Sequence, residues 1–188
     1  MIDDLMNLKN HFLIAMPGMT DPTFTKTVIL ICEHNDEGAL GLIINRAIEM
    51  TMGNLMENLK IPAHLLEHQD TPVYLGGPVQ TERGFVLHCP VGKWQTTITI
   101  DDNVGLTTSR DILESFAKNE LPEQWMVTLG HAGWSAGQLE NEMAQNAWLS
   151  VPADYSIVFD LPVEKRFEAA INLVTNNMAS LSTVVGHA

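Results

Sequence analysis

Residues 125–142 read WMVTLGHAGWSAGQLENE and form the segment on which the fold interpretation depends. The apolar run Trp125–Leu129 predicts a strand, the glycines from Gly130 to Gly133 predict a tight turn, and the residues after Gly137 predict a helix. A turn from strand to helix exposes backbone N–H groups at the start of the helix, where anions and polar ligands bind. The segment therefore predicts a core strand and, at its end, a candidate site.

Other apolar, β-branched runs predict further strands on both sides of this segment. The runs at 27–32 and 39–44 flank the turn residues Asn35–Gly38 and together predict a β-hairpin. The second run ends at Asn45 and Arg46, two polar residues that should emerge at the rim of the sheet. The remaining predicted strands span 12–16, 73–75, 84–88, 96–100 and 155–159.

Helices are predicted at three places outside the opening segment. Thr51 should cap a helix that ends near Leu59, Thr107 or Thr108 should cap another that ends at Ala117, and Pro162 should begin one from Val163 to about Asn176. No regular alternation of strand and helix is present. We therefore expect an α+β fold, a single domain over residues 1–188 with coiled, mixed or largely antiparallel sheets flanked by helices, frayed at about 1–10 and 179–188.

Composition and charge restrict the classes of partner. The 188 residues carry a formal net charge of −13 with a pI of about 4.7, and no basic patch is visible, so we expect no direct binding to nucleic acid. The acidic start Met1–Asp4 does not resemble a signal peptide, and no apolar run approaches the length of a membrane span. Cys32 and Cys89 lie in apolar runs and should be buried and reduced. These features predict a cytoplasmic protein with no membrane association and no cofactor.

Two short patterns resemble enzyme motifs. Residues 133–137 match G-x-S-x-G, and Ser135, Asp160 and His187 follow the chain order of an α/β-hydrolase triad. His64-Leu65-Leu66-Glu67-His68 matches H-x-x-E-H, in which the histidines could bind zinc. Each has a structural alternative: Ser135 and Gln138 could form a capping box, and residues 64–68 could be an exposed helical turn. A hydrolase with Ser135 as nucleophile, or with zinc at His64 and His68, is therefore the alternative to a binding protein.

Five motifs taken together resemble one family. They are Pro17-Gly18-Met19 with Asp21-Pro22-x-Phe24, Gly41-Leu42-Ile43-Ile44-Asn45-Arg46, Gly76-Gly77-Pro78-Val79, Gly84-Phe85-Val86-Leu87-His88, and Gly133-Trp134-x-x-Gly137-Gln138-Leu139-Glu140 with Trp148. In this order and spacing the chain resembles the YqgE/AlgH family of small bacterial proteins, over about residues 13–167. Ala47 and His131 depart from the residues that are more usual there.

The resemblance implies a single-domain α+β protein without an established biochemical activity. Some members have been called transcriptional regulators of alginate synthesis, so an indirect role in transcription is one expectation. The family pattern does not require serine at position 135, which disfavours Ser135 as a nucleophile. The H-x-x-E-H stretch also lies outside the family motifs.

The polar and glycine-rich ends of the predicted strands point to a binding cleft. Strand ends at a common rim lie close together, glycines allow close backbone approach, and Arg46 offers a positive charge beside the flat wall of Trp134. We therefore expect a non-enzymatic module that binds a small anionic or amide-bearing ligand or a protein partner, with no metal. The predicted site consists of Asn45, Arg46, Gly76, Gly77, Pro78, Gly133, Trp134, Gly137, Gln138 and Glu140.

Overall fold

The computed structural model describes residues 7–62 and 67–185, with side chains described as far as Ala179. Ten strands and five helices lie in these ranges. The strands are β1 (His11–Ala15), β2 (Val28–Asn35), β3 (Gly38–Ile43), β4 (Ala47–Thr51), β5 (Pro72–Leu75), β6 (Val79–Cys89), β7 (Thr97–Asp101), β8 (Val104–Thr107), β9 (Gln124–Ser135) and β10 (Trp148–Pro152). The helices are α1 (Met52–Asn58), α2 (Arg110–Ala117), α3 (Gln138–Ala144), α4 (Tyr155–Phe159) and α5 (Val163–Val185).

The strands form one curled sheet in the order β10-β1-β2-β3-β9-β6-β8-β7. Neighbours in this order are antiparallel. The pair β4–β5 lies off the main path, and β5 runs parallel to β9. This arrangement confirms the predicted α+β class with a mixed, largely antiparallel sheet.

Strand β9 organises the sheet because it pairs with three strands. Its residues 124–131 pair with β6 along one edge. On the opposite edge, residues 128–129 pair with β5 and residues 132–135 pair with β3. The glycines at 130 and 133 therefore lie inside a twelve-residue strand, and the tight turn predicted there is wrong. The chain turns instead at Gly137, whose φ is +78°.

Side chains alternate across β6 and β9 and so build a core on each face. Phe85, Leu87 and Met126 belong to the cluster that also contains residues of α4 and α5. Val86 and Val127 belong to a second cluster, which packs against α1 and α2. The sheet is thus covered by helices on both faces, which explains why residues 85–89 of β6 and residues 126–129 of β9 are buried.

The hairpin of β2 and β3 is confirmed, with Asn35 paired to Gly38 at its tip. Helix α1 is also confirmed with its cap, since the Thr51 side chain accepts a hydrogen bond from the Asn54 N–H. Helix α5 begins at Val163 as predicted and continues past Asn176 to Val185. Cys32 and Cys89 are buried free thiols, as predicted.

Two local predictions are wrong, and two strands are missing from the predictions. The segment Tyr155–Phe159 is helix α4 rather than a strand, because the Asp154 side chain caps it by accepting a hydrogen bond from the Ser156 N–H. Helix α2 begins after Ser109, since Thr107 belongs to β8. The strands β8 and β10 were not predicted, because Val104–Thr107 and Trp148–Pro152 are short and mixed in character.

The capping box predicted for Ser135 and Gln138 is also wrong. Helix α3 begins one residue after Gly137, which is its N-cap and provides no side chain. Gln138 is therefore the first helical residue, and its Oε1 accepts hydrogen bonds from the backbone N–H and the hydroxyl of Ser135. Among the helices that the structure describes, none has the length and apolarity needed to cross a membrane.

Candidate functional site

A cleft of about 290 Å³ opens beside the end of β9 and the start of α3. Two tryptophans from different strands form its floor: Trp134 from β9 is 7% exposed and Trp148 from β10 is 4% exposed. We call it the tryptophan cleft and define it by its lining residues. They are Met19, Asp21, Phe24, Gly133, Trp134, Gln138, Glu142, Ala147 and Trp148.

The carboxylate of Glu142 holds the floor of this cleft together. Its Oε1 accepts hydrogen bonds from both indole N–H groups, at 3.2 Å from Trp134 and 2.9 Å from Trp148. Its Oε2 accepts a bond of 2.8 Å from the Gln138 side chain. The two indole rings meet edge to face at 6.3 Å between centroids. Because charged acceptors bind more strongly than neutral ones, this one side chain fixes both rings and the first turn of α3.

The turn after β1 supplies the opposite wall. Phe24 packs edge to face on Trp148, with ring centroids 5.8 Å apart. Asp21 lies on the exposed surface of this turn and accepts a hydrogen bond from the Thr23 N–H through its Oδ1. The cleft is therefore formed between two segments more than a hundred residues apart in the chain.

Asn45 and Arg46 do not line the tryptophan cleft. Their side chains form hydrogen bonds with the segment that supplies this wall. The Asn45 side chain accepts from the Val28 N–H and donates to the Lys26 carbonyl, both at 2.9 Å. The Arg46 guanidinium donates to the carbonyl oxygens of Pro22 and Thr25. The positive charge predicted for a ligand is thus engaged with backbone carbonyls of the turn.

Gly76 and Gly77 lie against the backbone of β9. The Gly76 N–H donates to the Leu129 carbonyl, and its own carbonyl accepts from Ile43, both at 2.8 Å. A Cβ at Gly76 would lie 2.2 Å from the Gly130 oxygen, and one at Gly77 would lie 2.2 Å from the His131 carbonyl carbon. These glycines allow the chain to cross β9 closely, just before Gly133. Pro78 is exposed at the start of β6.

Glu140 points away from the tryptophan cleft and contacts His34. The His34 Nδ1 accepts a hydrogen bond from the Leu8 N–H, so its Nε2 carries the hydrogen and donates to Glu140 Oε1 at 2.5 Å. Within the described part of the chain, Glu140 Oε2 is buried without a hydrogen-bond partner. Of the ten predicted site residues, Gly133, Trp134 and Gln138 line the cleft, and Gly137 caps α3 beside it.

Sequence reasoning did not assign the remaining lining residues to the site. Four of them belong to the motifs of the family resemblance, and membership of those motifs could have identified them as site residues: Met19, Asp21, Phe24 and Trp148. Glu142 follows Gln138 by four residues on the same helix, a spacing that places both on one face. This helical spacing could have identified Glu142 as a site residue from the sequence.

The residues of the two enzyme-like patterns lie in different parts of the structure. Ser135 pairs with Gly38 in the β3–β9 ladder, so its backbone is extended and lacks the sharp turn of a nucleophile elbow. Asp160 is exposed and accepts a hydrogen bond from Gln124, while His187 lies outside the described residues. His64 also lies outside them, and the His68 ring meets the edge of Trp125. Among the residues described, no three His, Cys, Asp or Glu side chains form a group that could hold a metal ion.

Comparisons with known proteins agree on one family. A family model described as AlgH-like (DUF179) matches residues 12–179. A UPF0301 protein of Azoarcus sp. (strain BH72) is 54% identical over 182 residues, which are 97% of this chain and 97% of that protein. A UPF0301 protein of Dechloromonas aromatica (strain RCB) is 53% identical over 98% of this chain and 100% of its own length.

Solved structures share the fold. The solution structure of the AlgH protein from Pseudomonas aeruginosa superposes with a TM-score of 0.81 at 44% identity, covering 97% of this chain and 96% of that one. A protein from Corynebacterium diphtheriae superposes with a TM-score of 0.64 at 20% identity over 82% and 81% of the two chains, which shows a common fold alone. With its motifs, its sheet topology and these matches in agreement, the chain belongs to the AlgH-like family.

Proposed function

We propose that this chain is a non-enzymatic binding module whose tryptophan cleft takes an apolar group that carries a positively charged or amide donor. A small ligand or a segment of a protein partner would present that group. The observation that supports the proposal most strongly is that the Glu142 carboxylate accepts hydrogen bonds from both cleft indoles. Because the rings are already fixed, a ligand would not have to order them, and preorganised sites bind more tightly for that reason.

The charge around the cleft determines the preferred class of ligand. Its lining includes the carboxylates of Asp21 and Glu142, and no lysine, arginine or histidine is among the described residues that line it. The small anion expected from the sequence depended on Arg46, whose guanidinium instead donates to the turn. The anion remains the competing prediction, and the cleft favours a cation or an amide.

A protein partner would also account for an indirect role in regulation. A net charge of −13 repels nucleic-acid backbones, so an effect on transcription would pass through another protein. We expect pure protein to give no salt-sensitive, sequence-preferring shift of DNA in a gel. A cytoplasmic location stays a prediction from the sequence.

Three probes with the same phenyl body test the proposal: phenethylammonium, 3-phenylpropanamide and 3-phenylpropanoate. Each is titrated into ¹⁵N-labelled full-length protein, and the four tryptophan indole N–H signals are followed. We expect the ammonium and amide probes to shift Trp134 and Trp148 in a saturable way and to leave Trp94 and Trp125 unchanged. Stronger binding of the carboxylate, or no movement of either cleft indole with any probe, would contradict the proposal.

A further inference from the structure

We propose a second binding site, for a small amphipathic carboxylate with an aliphatic body, in a cleft between the start of α2 and the first half of β6. This cleft has a volume of about 350 Å³ and shares no lining residue with the tryptophan cleft. We call it the arginine cleft. Its central lining residues are Leu59, Arg83, Gly84, Val86, Arg110 and Leu113.

The distribution of arginines distinguishes this cleft. The chain contains four, at positions 46, 83, 110 and 166. Arg46 donates to the turn carbonyls, and Arg166 is buried, donating to the carbonyls of Ile44 and Leu161. The other two, Arg83 and Arg110, both line the arginine cleft. In a protein with a net charge of −13, two guanidinium groups at one cleft mark a local site for an anion.

Among the described residues, neither guanidinium has a strong competing interaction. Arg110 Nε lies 3.1 Å from Glu114 Oε1, but both side chains are 52% exposed, and such surface pairs contribute little. The Arg83 guanidinium lies 5.8 Å from the centre of the Phe85 ring, and it forms no hydrogen bond or ion pair with the described residues. Among the described lining residues, Arg83 and Arg110 are positive and Glu82 is negative, while Glu114 lies outside the lining beside Arg110.

The floor of the arginine cleft is apolar and open. Leu113 and Val86 are 5% and 1% exposed, and they form the floor together with Leu59. Gly84 leaves space there, since a Cβ at this position would meet only Leu113 Cδ1, at 3.6 Å. An apolar floor under two guanidinium groups fits a molecule with a hydrocarbon body and a terminal carboxylate.

Octanoate is the probe, titrated below its micellar concentration into ¹⁵N-labelled full-length protein. We expect saturable shifts of the Gly84, Val86 and Leu113 amides, weaker binding of octan-1-ol, and no binding of octylammonium or inorganic phosphate. The indoles of Trp134 and Trp148 should not move, so this result is independent of the tryptophan cleft. Equal binding of octan-1-ol, or shifts confined to the tryptophan cleft, would overturn the proposal.

Substitutions distinguish recognition of the carboxylate of octanoate from recognition of its aliphatic body. Arg83→Gln and Arg110→Gln should each weaken octanoate binding about threefold to tenfold, and Glu114→Gln should strengthen it by releasing Arg110. Gly84→Ile should abolish binding, because the new side chain fills the cleft while isoleucine suits a strand. Lys165→Gln, at an exposed position of α5, is the control for lost positive charge. Unchanged affinity in both arginine variants would overturn the assignment even if Gly84→Ile failed to fold.

Discussion

Two glycines near the tryptophan cleft differ sharply in the space around them. Gly76 faces the backbone of β9, and a Cβ there would lie 2.2 Å from the Gly130 oxygen and 2.5 Å from Thr128 Oγ1. Gly133 is exposed, and its nearest neighbour would be an atom of the His131 ring at 3.6 Å, an ordinary contact. Only the first glycine is required by the close approach of two chain segments.

Alanine at these two positions should therefore have opposite consequences. We expect Gly76→Ala to lower the free energy of unfolding by about 2 kcal/mol or more, because backbone atoms must move apart. Gly133→Ala should be neutral or slightly stabilising, because alanine restricts the unfolded chain more than glycine does. Chemical denaturation of both variants measures the difference. Equal effects would show that the close packing at Gly76 is not a constraint.

Glu142 is the residue on which the cleft floor depends. Glu142→Ala leaves two poorly accessible indole N–H groups without an acceptor, and we expect a loss of about 2–3 kcal/mol. Glu142→Gln keeps an acceptor oxygen and should cost about 1 kcal/mol or less. Thermal denaturation gives the stabilities, and the indole N–H chemical shifts of Trp134 and Trp148 report the lost bonds. If both variants are equally stable, the carboxylate does not hold the rings.

Residue patterns predicted part of this site. Trp134, Gly133 and Gln138 stand close together in the chain, and they lie together in the cleft. Asn45 and Arg46 emerge where predicted, but their roles could not be read from the sequence. Their hydrogen-bond partners lie about twenty residues away, in a turn whose position depends on the folded sheet.

The elements whose turn or cap residues lie next to them in the sequence were the most predictable. The β2–β3 hairpin and helix α1 each carry their turn or cap within a few residues of sequence, so their positions were predicted correctly. The turn predicted at Gly130–Gly133 is wrong because Gly130 allows the close approach of Gly77 to β9, while Gly133 lies in the strand with only ordinary contacts around it. Helix α4 was misjudged because its apolar residues, such as Ile157 and Val158, fit a buried strand equally well.

The turn at residues 22–25 is an element whose stability should depend on Arg46. We expect Arg46→Ala to cost about 1 kcal/mol and to increase amide hydrogen exchange at residues 23–27, because the carbonyls of Pro22 and Thr25 lose their donor. The loosened wall should weaken probe binding to the tryptophan cleft. Arg110→Ala, which removes a guanidinium of the arginine cleft together with its exposed ion pair to Glu114, is the matched control and should leave exchange in the turn unchanged. Equal exchange in both variants would contradict this role.

The contact between β6 and β8 should make the stability depend on pH. His88 is fully buried, its Nδ1 donates to the Pro90 carbonyl, and its Nε2 accepts from Thr107 Oγ1. Burial lowers the pKa of His88 below 6.5, although the bond to Pro90 acts in the opposite direction. The unfolded chain therefore binds this proton more readily than the folded protein.

His88 should accordingly stabilise the fold fully above pH 6.5, and this contribution should fall as the pH drops below that value through the lower, folded pKa. Denaturation curves between pH 7.5 and 5 should show this loss. In His88→Gln the protein should be less stable at pH 7.5, with a smaller further loss on acidification. An unchanged pH slope in the variant would show that another group is responsible.

At the scale of the whole molecule, the net charge of −13 is unevenly distributed between the two clefts. The tryptophan cleft is lined by carboxylates and lies where β9, β10 and the turn after β1 meet. The arginine cleft contains Arg83 and Arg110, the two arginines that donate to no backbone carbonyl among the described residues. The two proposed sites therefore differ in charge, a difference that depends on contacts between distant segments and could not be predicted from composition.

The most direct test of the binding proposal is the affinity of phenethylammonium for Asp21→Asn, measured by titration of the Trp134 and Trp148 indole signals. The asparagine keeps the acceptor for the Thr23 N–H but removes the negative charge from the cleft. We predict a loss of about twofold to fivefold in affinity. Asp102→Asn, in the exposed turn between β7 and β8, should bind as the unmodified protein does. Unchanged affinity in Asp21→Asn, or tighter binding of 3-phenylpropanoate than of phenethylammonium by the unmodified protein, would contradict the proposal.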